Sequence, residues 1–226
     1  MPIERYEQAI PLGIDPATPV TVQVVDSAHV PFADPAGARR WLKSPAGQAA
    51  VMGTTVNRHT GVTLEMGAGD LAHVAGSTAR SHAMARAAAV ANWQRLLAEA
   101  APSKPAKPRA ADAAALAAVR DYYAPMEFDG DLFVVRFAVQ EYKPNMVSPN
   151  AISVYRVRDA KAHLGRDLPG TRGMANAGTA PASTPFPSTT GPTIEIGELL
   201  AGIKGPDREW LQRSLADGTA RRPDRV

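Results

Sequence analysis

The sequence contains no cysteine, only 6% aromatic residues and no long apolar run. Without cysteine, disulfide bonds, thiolate nucleophiles, iron–sulfur clusters and thiolate zinc sites are excluded. The apolar runs are far shorter than the roughly 20 residues that span a bilayer, so we expect no association with a membrane. The chain does not open with a basic stretch followed by an apolar one, so we expect no secretory signal and a cytoplasmic location.

Several catalytic signatures are also missing. The sequence has no HExxH, no GxGxxG before a helix, no Walker A loop and no GxSxG. None of its histidines forms a pair four residues apart, which is the spacing of a helical zinc site. We therefore predict no metal site and no organic cofactor.

What is present is the composition of a globular protein. The 226 residues include 45% hydrophobic and 21% charged residues, which is sufficient for an ordinary core. The formal net charge is +3. Such a mild excess permits an anionic partner such as RNA but does not require one.

Composition divides the chain into four parts. We predict a lead-in with one strand at 1–33, an α+β body at 34–165, a flexible Gly/Pro/Ser/Thr-rich loop at 166–192, and short helices with a basic tail at 193–226.

Local patterns assign elements within the body. Asp34-Pro35 and Ser44-Pro45 are typical helix starts. The remaining predictions are a hairpin at 51–67 turning at Gly61, Ala-rich helices at 77–100 and 112–120, and strands at 122–128, 132–141 and 151–158, the first two joined by Asp129-Gly130.

Three basic residues surround the expected start of the helix at 77–100. His73 precedes it, and Arg80 and His82 lie in its first turns. Free N–H groups and the helix dipole at such a position favour an anion such as phosphate, and a histidine there can move a proton near neutral pH. Solvated side chains at the end of an apolar stripe are the alternative.

Two arginines lie within predicted strands. Arg136 interrupts an apolar strand face and needs a partner, for which Glu127, Glu141 or a bound phosphate qualifies. With Arg156 on the next strand it would form one basic sheet face suited to phosphate, although a structural ion pair is an equally good interpretation.

The Tyr122-Tyr123 pair opens the later hairpin. Alternation along the strand places one ring in the core and leaves the other, which we assign to Tyr122, able to stack on a base. Packing of both rings in the core is the simpler alternative.

Two stretches, TTVNRHTGVTLEMGAGDLAHVAGSTA and YYAPMEFDGDLFVVRFAVQE followed by NAISVYRVRD, carry a family resemblance. In this order they resemble the nuclease-like domain of large polyvalent phage and mobile-element proteins, within the barnase/EndoU/colicin/RelE-like superfold. The similarity spans roughly residues 36–160, and each of its motifs is short.

The resemblance implies an α+β fold in which N-terminal helices and a β-hairpin pack on a small antiparallel sheet of about four strands. It implies a metal-independent ribonuclease of toxin type, with His73, Arg136 and Glu141 as the matching catalytic residues. Asp121 stands before Tyr122, where many relatives place a histidine or another polar residue, and this departure puts a two-histidine acid–base pair in doubt. RNA and a cognate protein inhibitor are the implied partners.

Two alternatives remain open. The first is a non-catalytic protein- or RNA-binding adaptor with the same fold, for which the departure at Asp121 and the single matched histidine argue. The second is an enzyme acting on nucleotides, such as an ADP-ribosyl transferase, for which the sequence shows no motif.

Overall fold

A computed structural model describes residues 13–76, 82–108, 114–142, 147–157, 189–204, 208–209 and 211. These ranges contain the following strands and α-helices: β1 Pro19–Val25, α1 Pro35–Lys43, α2 Pro45–Val51, β2 Gly53–Val56, β3 Thr63–Met66, α3 Ala68–Gly76, α4 Ala83–Ala91, α5 Trp93–Glu99, β4 Ala101–Pro102, β5 Leu116–Phe128, β6 Asp131–Tyr142, β7 Val147–Arg156, β8 Thr189–Glu195 and α6 Ile196–Gly202.

The central feature is a six-stranded mixed sheet in the order β7-β6-β5-β1-β8, with β4 paired to β5. β1 runs parallel to β5, with Gln23 opposite Met126, whereas the other pairs are antiparallel. The chain is therefore α+β, but the prediction of a small antiparallel sheet of about four strands is wrong. The strand predicted in the lead-in is confirmed as β1, whereas β8 begins within the predicted loop at 166–192. The pairing of β1 and β8 with distant strands enlarges the sheet, and the parallel pairing of β1 with β5 makes it mixed.

The hairpin of β5 and β6 follows the local prediction. Asp129 and Gly130 have positive φ angles of 51° and 80°, as a two-residue type I′ turn requires. The turn sets the register, with Phe128 opposite Asp131. The prediction of this turn is confirmed.

The two faces of the sheet support two separate cores. Phe133, Val135, Phe137 and Val139 of β6 pack with α3, α4 and α5, and we call this the helix-side face. Leu132 and Val134 pack instead with residues of β1 and α6, and we call this the α6-side face. The predicted alternation along β6 is confirmed.

The helix starts were read correctly where a side chain caps them. Asp34 Oδ1 accepts from the N–H of Gly37 at 2.6 Å, and Ser44 Oγ accepts from the N–H of Gly47 at 3.1 Å.

The two predicted Ala-rich helices differ from the structure. The described part of the expected long helix is two helices, α4 and α5, divided at Asn92. The expected helix at 112–120 is wrong from 116 onward, because those residues begin β5 and pair with β6. Alanine content signals helix locally, but the partner strand decides the conformation. Most of the predicted loop at 166–192 and of the second C-terminal helix lies outside the described residues.

Candidate functional site

The predicted catalytic residues His73, Arg136 and Glu141 lie on different parts of the fold. His73 is exposed in the last turn of α3, not in a loop before a helix start. The last turn carries the negative end of the helix dipole, so the reasoning that placed an anion beside His73 is wrong. Arg136 belongs to the α6-side face, whereas Glu141 lies five residues along β6 and faces the helix side.

Arg136 is buried with an internal counter-ion. Its Nη2 donates to Asp121 Oδ2 at 2.8 Å, so the partners expected from sequence, Glu127 and Glu141, are wrong. Burial alone would lower the pKa of Arg136, but Asp121, with Tyr123 and Tyr155, outweighs burial and raises the pKa above its usual value. The guanidinium is thereby engaged in holding the α6-side core together.

Arg156 does not join Arg136 in a basic face. Arg136 is opposite Ser153 in β7, and Arg156 lies three residues further on, so the two arginines project from opposite sides of the sheet. Arg156 is half exposed and paired with Asp131. The predicted joint phosphate surface is wrong because of this odd spacing.

His82 lies immediately before α4 with a left-handed φ of 60°. Its ring contacts Phe133 edge-on, with centroids 5.4 Å apart. Arg156 on β7 is opposite the same Phe133. His82 and Arg156 therefore lie at the same end of the helix-side face. Arg80, the third predicted anion ligand, lies outside the described residues.

Tyr122 and Glu141 are the two predicted site residues that the fold brings together. Arg120 joins them: its Nε lies 3.2 Å from Glu141 Oε1, and it stands two residues before Tyr122 on β5, on the same face of the sheet. The hydroxyl of Tyr122 also lies 3.4 Å from Thr60 Oγ1. We call Thr60, Arg120, Tyr122 and Glu141 the loop–sheet cluster.

The strand register explains why these residues meet. Arg120 and Tyr122 are two residues apart on β5 and so share the helix-side face. Glu141 is opposite Ala118, with an irregularity in β5 between Leu116 and Ala118. The side chains of Arg120 and Glu141 keep 18% and 22% of their surface exposed, so the pair is accessible from one side.

The contact between Arg120 and Glu141 is an ion pair without hydrogen-bond geometry. Arg120 Nε and Glu141 Oε1 are each shielded from solvent and have no hydrogen-bond partner among the described residues. Buried polar atoms are satisfied in the great majority of cases, and these two, like Arg136 Nε, are exceptions among the described residues.

Tyr122 itself is fully buried. Burial raises the pKa of its phenol, which therefore stays protonated at neutral pH. A ring in this position cannot stack on a base without displacing the core, so the predicted stacking role is wrong, and packing of the ring in the core is the interpretation that holds.

The loop between β2 and β3 covers the cluster. The predicted hairpin is confirmed, and Gly61 has a positive φ of 68°. Asn57 is fully buried beneath this loop, where its Nδ2 donates to the carbonyl oxygens of Leu97 and Ala100 at 2.7 and 2.8 Å. The loop is thus attached to the end of α5.

An imidazole lies beside the cluster. His59 Nε2 accepts from Arg58 Nε at 3.3 Å, and Arg58 in turn pairs with Glu99. Partial burial, and then the charge of Arg58, lower the pKa of His59 from 6.5, while Glu99 opposes the shift. The ring is therefore held neutral and already engaged.

Sequence reasoning missed Arg120, Thr60 and Asn57. Arg120 was assigned to a helix, and its two-residue spacing from Tyr122 would have placed both on one face had the strand been recognised. Asn57 and Thr60 were interpreted only as turn residues.

Within the described ranges, no three His, Asp or Glu side chains are grouped to hold a metal, and none of the helices there has the length and apolar character to cross a membrane.

Comparisons with known proteins give no relative: no family model, no curated protein and no solved structure matches the chain.

Proposed function

We propose that the chain is a metal-independent endoribonuclease of toxin type whose reaction centre is the loop–sheet cluster. The observation that supports it is the 3.2 Å contact of Arg120 with Glu141. The two side chains are partly exposed, although the two contacting atoms are buried and lack hydrogen bonds. A carboxylate to take a proton and a guanidinium to bind phosphate are the two groups that cleavage by a ribose hydroxyl needs.

The proposed reaction follows from these two groups. Glu141 accepts the proton of the 2′-hydroxyl as the 2′-oxygen attacks the adjacent phosphorus. The bond from phosphorus to the 5′-oxygen breaks, that oxygen takes a proton from water, and Glu141 gives its proton to the hydroxide that remains. A 2′,3′-cyclic phosphate and a 5′-hydroxyl end result. Arg120 binds the phosphate and stabilises the charge that grows on its oxygens.

The proposed site differs from the site of His73, Arg136 and Glu141 expected from sequence, but the proposed reaction is still metal-independent cleavage of RNA. The resemblance of the two sequence stretches to phage and mobile-element nucleases supports RNA as substrate, a cytoplasmic site of action and a protein inhibitor as partner. The net charge of +3 is compatible with a polyanion.

The experiment is cleavage of total RNA in EDTA by the wild-type chain and matched variants. Arg120→Gln and Glu141→Gln are expected to lower the rate by about 100-fold or more, the size of a lost acid–base or phosphate group. Arg156→Gln is the control, because it also removes an ion-paired arginine from the helix-side face, yet at a distant register position. Its rate should stay within about twofold of wild type, as for an exposed pair.

His73→Ala tests the arrangement expected from sequence. With the reaction at the loop–sheet cluster, this variant keeps its activity. Loss of cleavage in His73→Ala with full activity in Glu141→Gln would contradict the proposed centre. Intact RNA with the wild-type protein would overturn the ribonuclease proposal altogether.

A second candidate is the non-catalytic adaptor. The observation that favours it is that Arg136, Arg156 and Glu141 each have an opposite charge within the chain. Retention of RNA by the wild-type protein without any cleavage, at low salt and in EDTA, is the result expected of this alternative.

A further inference from the structure

The β2–β3 loop is attached to the end of α5 by bonds that do not titrate. The backbone N–H of Arg58 donates to the carbonyl oxygen of Ala98 at 2.9 Å, and Asn57 Nδ2 donates to the carbonyl oxygens of Leu97 and Ala100. The last carbonyl groups of a helix have no partner within the helix, so these bonds satisfy them. Amide groups keep the same protonation state at every pH at which the protein is folded.

The side chain of Arg58 makes a second attachment, which reaches β1. Its Nη2 donates to the carbonyl oxygen of Pro19 at 3.1 Å, and its Nη1 pairs with Glu99 of α5. Its Nε donates to His59 Nε2 at 3.3 Å. One guanidinium therefore connects the loop with both β1 and α5, and each of its three nitrogens has a separate acceptor.

The contact between Arg58 and His59 requires a neutral imidazole. An arginine nitrogen can only donate, so His59 Nε2 must present a lone pair to it. A proton on Nε2 would remove this acceptor and place a second positive charge beside the guanidinium. The hydrogen bond and the protonated ring therefore exclude each other.

The charged groups that act on the imidazole come from the loop and from α5. Partial burial and then the charge of Arg58 oppose a proton on the ring, whereas Glu99 favours one. Arg95 is the other charged residue of α5. β1 has no titratable side chain and faces Arg58 with the carbonyl group of Pro19, and the one charged residue of β8, the exposed Glu195, is opposite Pro19.

We infer that His59 is a proton-operated switch for the attachment of the β2–β3 loop to β1. When the imidazole takes a proton, Arg58 loses one of its three acceptors and is repelled by the ring. Its guanidinium then leaves the carbonyl oxygen of Pro19 and keeps its pair with Glu99 alone. The loop stays on α5, because the bonds made there by amide groups are unaffected. This switch goes beyond the proposed function and does not depend on it, since it can be observed without RNA.

The first measurement is a nuclear magnetic resonance titration of the His59 ring in the full chain. We expect Arg58→Gln to raise the pKa of His59, with a gain in proton affinity of about twofold to fivefold, as for a partly exposed pair of charges. Arg58→Lys keeps the charge without the Nε donor and should lie between Arg58→Gln and wild type. Glu99→Gln should lower the pKa of His59 further, because Glu99 favours the proton.

Arg156→Gln is the control for this titration. It also removes a half-exposed arginine from an ion pair, but one on β7 with Asp131 as its partner. The pKa of His59 should be the same in this variant as in wild type.

The second measurement is the backbone amide signal of Val20, which shares its peptide group with the carbonyl of Pro19. In wild type we expect this signal to move with the same midpoint as the His59 ring. It should not move over this pH range in His59→Gln, whose amide can accept from Arg58 but takes up no proton. The matched control is His29→Gln, at an exposed histidine, in which the Val20 signal should still follow His59.

Three results would overturn the inference. The first is a Val20 signal that does not follow the His59 ring in wild type, or that titrates equally in His59→Gln. The second is an unchanged pKa of His59 in Arg58→Gln. The third is loss of hydrogen-exchange protection at the Arg58 amide when His59 is protonated, since the whole loop would then leave α5. If His59→Gln does not fold, His59→Asn provides the same amide that cannot take up a proton.

Discussion

Arg136 reaches diagonally across the β5–β6 pair to Asp121, with Nη2 and Oδ2 2.8 Å apart. Only 5% of the Arg136 side chain and 16% of the Asp121 side chain are exposed. Removal of one partner from a buried pair leaves a charge that neither water nor protein compensates, which is far more costly than the loss of an exposed pair.

We therefore predict that Arg136→Met and Asp121→Asn each lower the free energy of unfolding by about 3–5 kcal/mol. The matched control is Arg156→Met, which removes a half-exposed arginine from its pair with Asp131 and should cost about 1 kcal/mol or less. Urea unfolding followed by circular dichroism gives both values. Equal costs at Arg136 and Arg156 would contradict the assigned burial.

A second prediction concerns two helical glycines. A Cβ on Gly47 of α2 would stand 2.0 Å from the carbonyl oxygen of Trp41, whereas a Cβ on Gly69 of α3 would meet nothing within 4 Å. Gly47→Ala should therefore destabilise the protein by about 3 kcal/mol through forced backbone displacement. Gly69→Ala should stabilise it by up to about 1 kcal/mol, because alanine restricts the unfolded chain and favours helix.

Thermal unfolding of the two alanine variants beside wild type checks the sign of each change. Destabilisation of similar size at both positions would mean that the close approach of α2 to Trp41 is absent in solution.

The elements that the sequence predicted well are those decided by neighbours in the chain. Asp34, Ser44 and the Asp129-Gly130 turn each act within four residues of themselves, so composition and spacing are sufficient to identify them. The alternation along β6 is local as well, and it located both faces of the sheet correctly.

The sheet's extent depended on contacts far apart in sequence. Gln23 of β1 is opposite Met126 of β5, and Val20 is opposite Ile194 of β8. The residue pattern within a strand does not indicate which distant strand it pairs with. The predicted sheet was therefore built only from strands that are neighbours in the sequence.

The candidate site failed for a related reason. Glu141 and Arg136 were assigned from the family resemblance and Tyr122 from the tyrosine pair, and an ion-pair partner was expected at Glu127 or Glu141 for Arg136. Its partner Asp121 lies in the neighbouring strand, and only the register reveals it.

Glu127 gives a pH-dependent prediction. It is half-buried on β5, and burial raises the pKa of its carboxyl above the usual 4.5. The folded state therefore holds this proton more tightly than the unfolded state, so the protein loses stability as the pH rises from 4.5 through the raised pKa.

We expect Glu127→Gln to unfold at a higher temperature than wild type at neutral pH, with the difference vanishing below pH 4.5, where both forms are neutral. Exposed Glu65→Gln controls for the loss of one negative charge. A gain in Glu127→Gln that persists unchanged at low pH would show that packing of the amide, not the carboxyl proton, is responsible.

His59 shifts in the opposite direction. Partial burial, followed by the neighbouring Arg58, lowers the pKa of the ring below 6.5. The unfolded state then binds the proton more readily than the folded state, so the contribution of His59 to stability is complete above pH 6.5 and is lost as the pH falls through the lowered pKa.

Thermal unfolding across this range compares wild type with His59→Asn and His29→Asn. His59→Asn cannot take up the proton, so its melting temperature should fall less between neutral and mildly acidic pH than that of wild type. His29→Asn, at an exposed histidine, controls for the exchange of an imidazole for an amide. If His59→Asn keeps the full slope, acid does not act through this ring. The bonds of Asn57 to Leu97 and Ala100 hold the loop over Tyr122 to the end of α5 in either case, because the bonds of an amide do not titrate in this range.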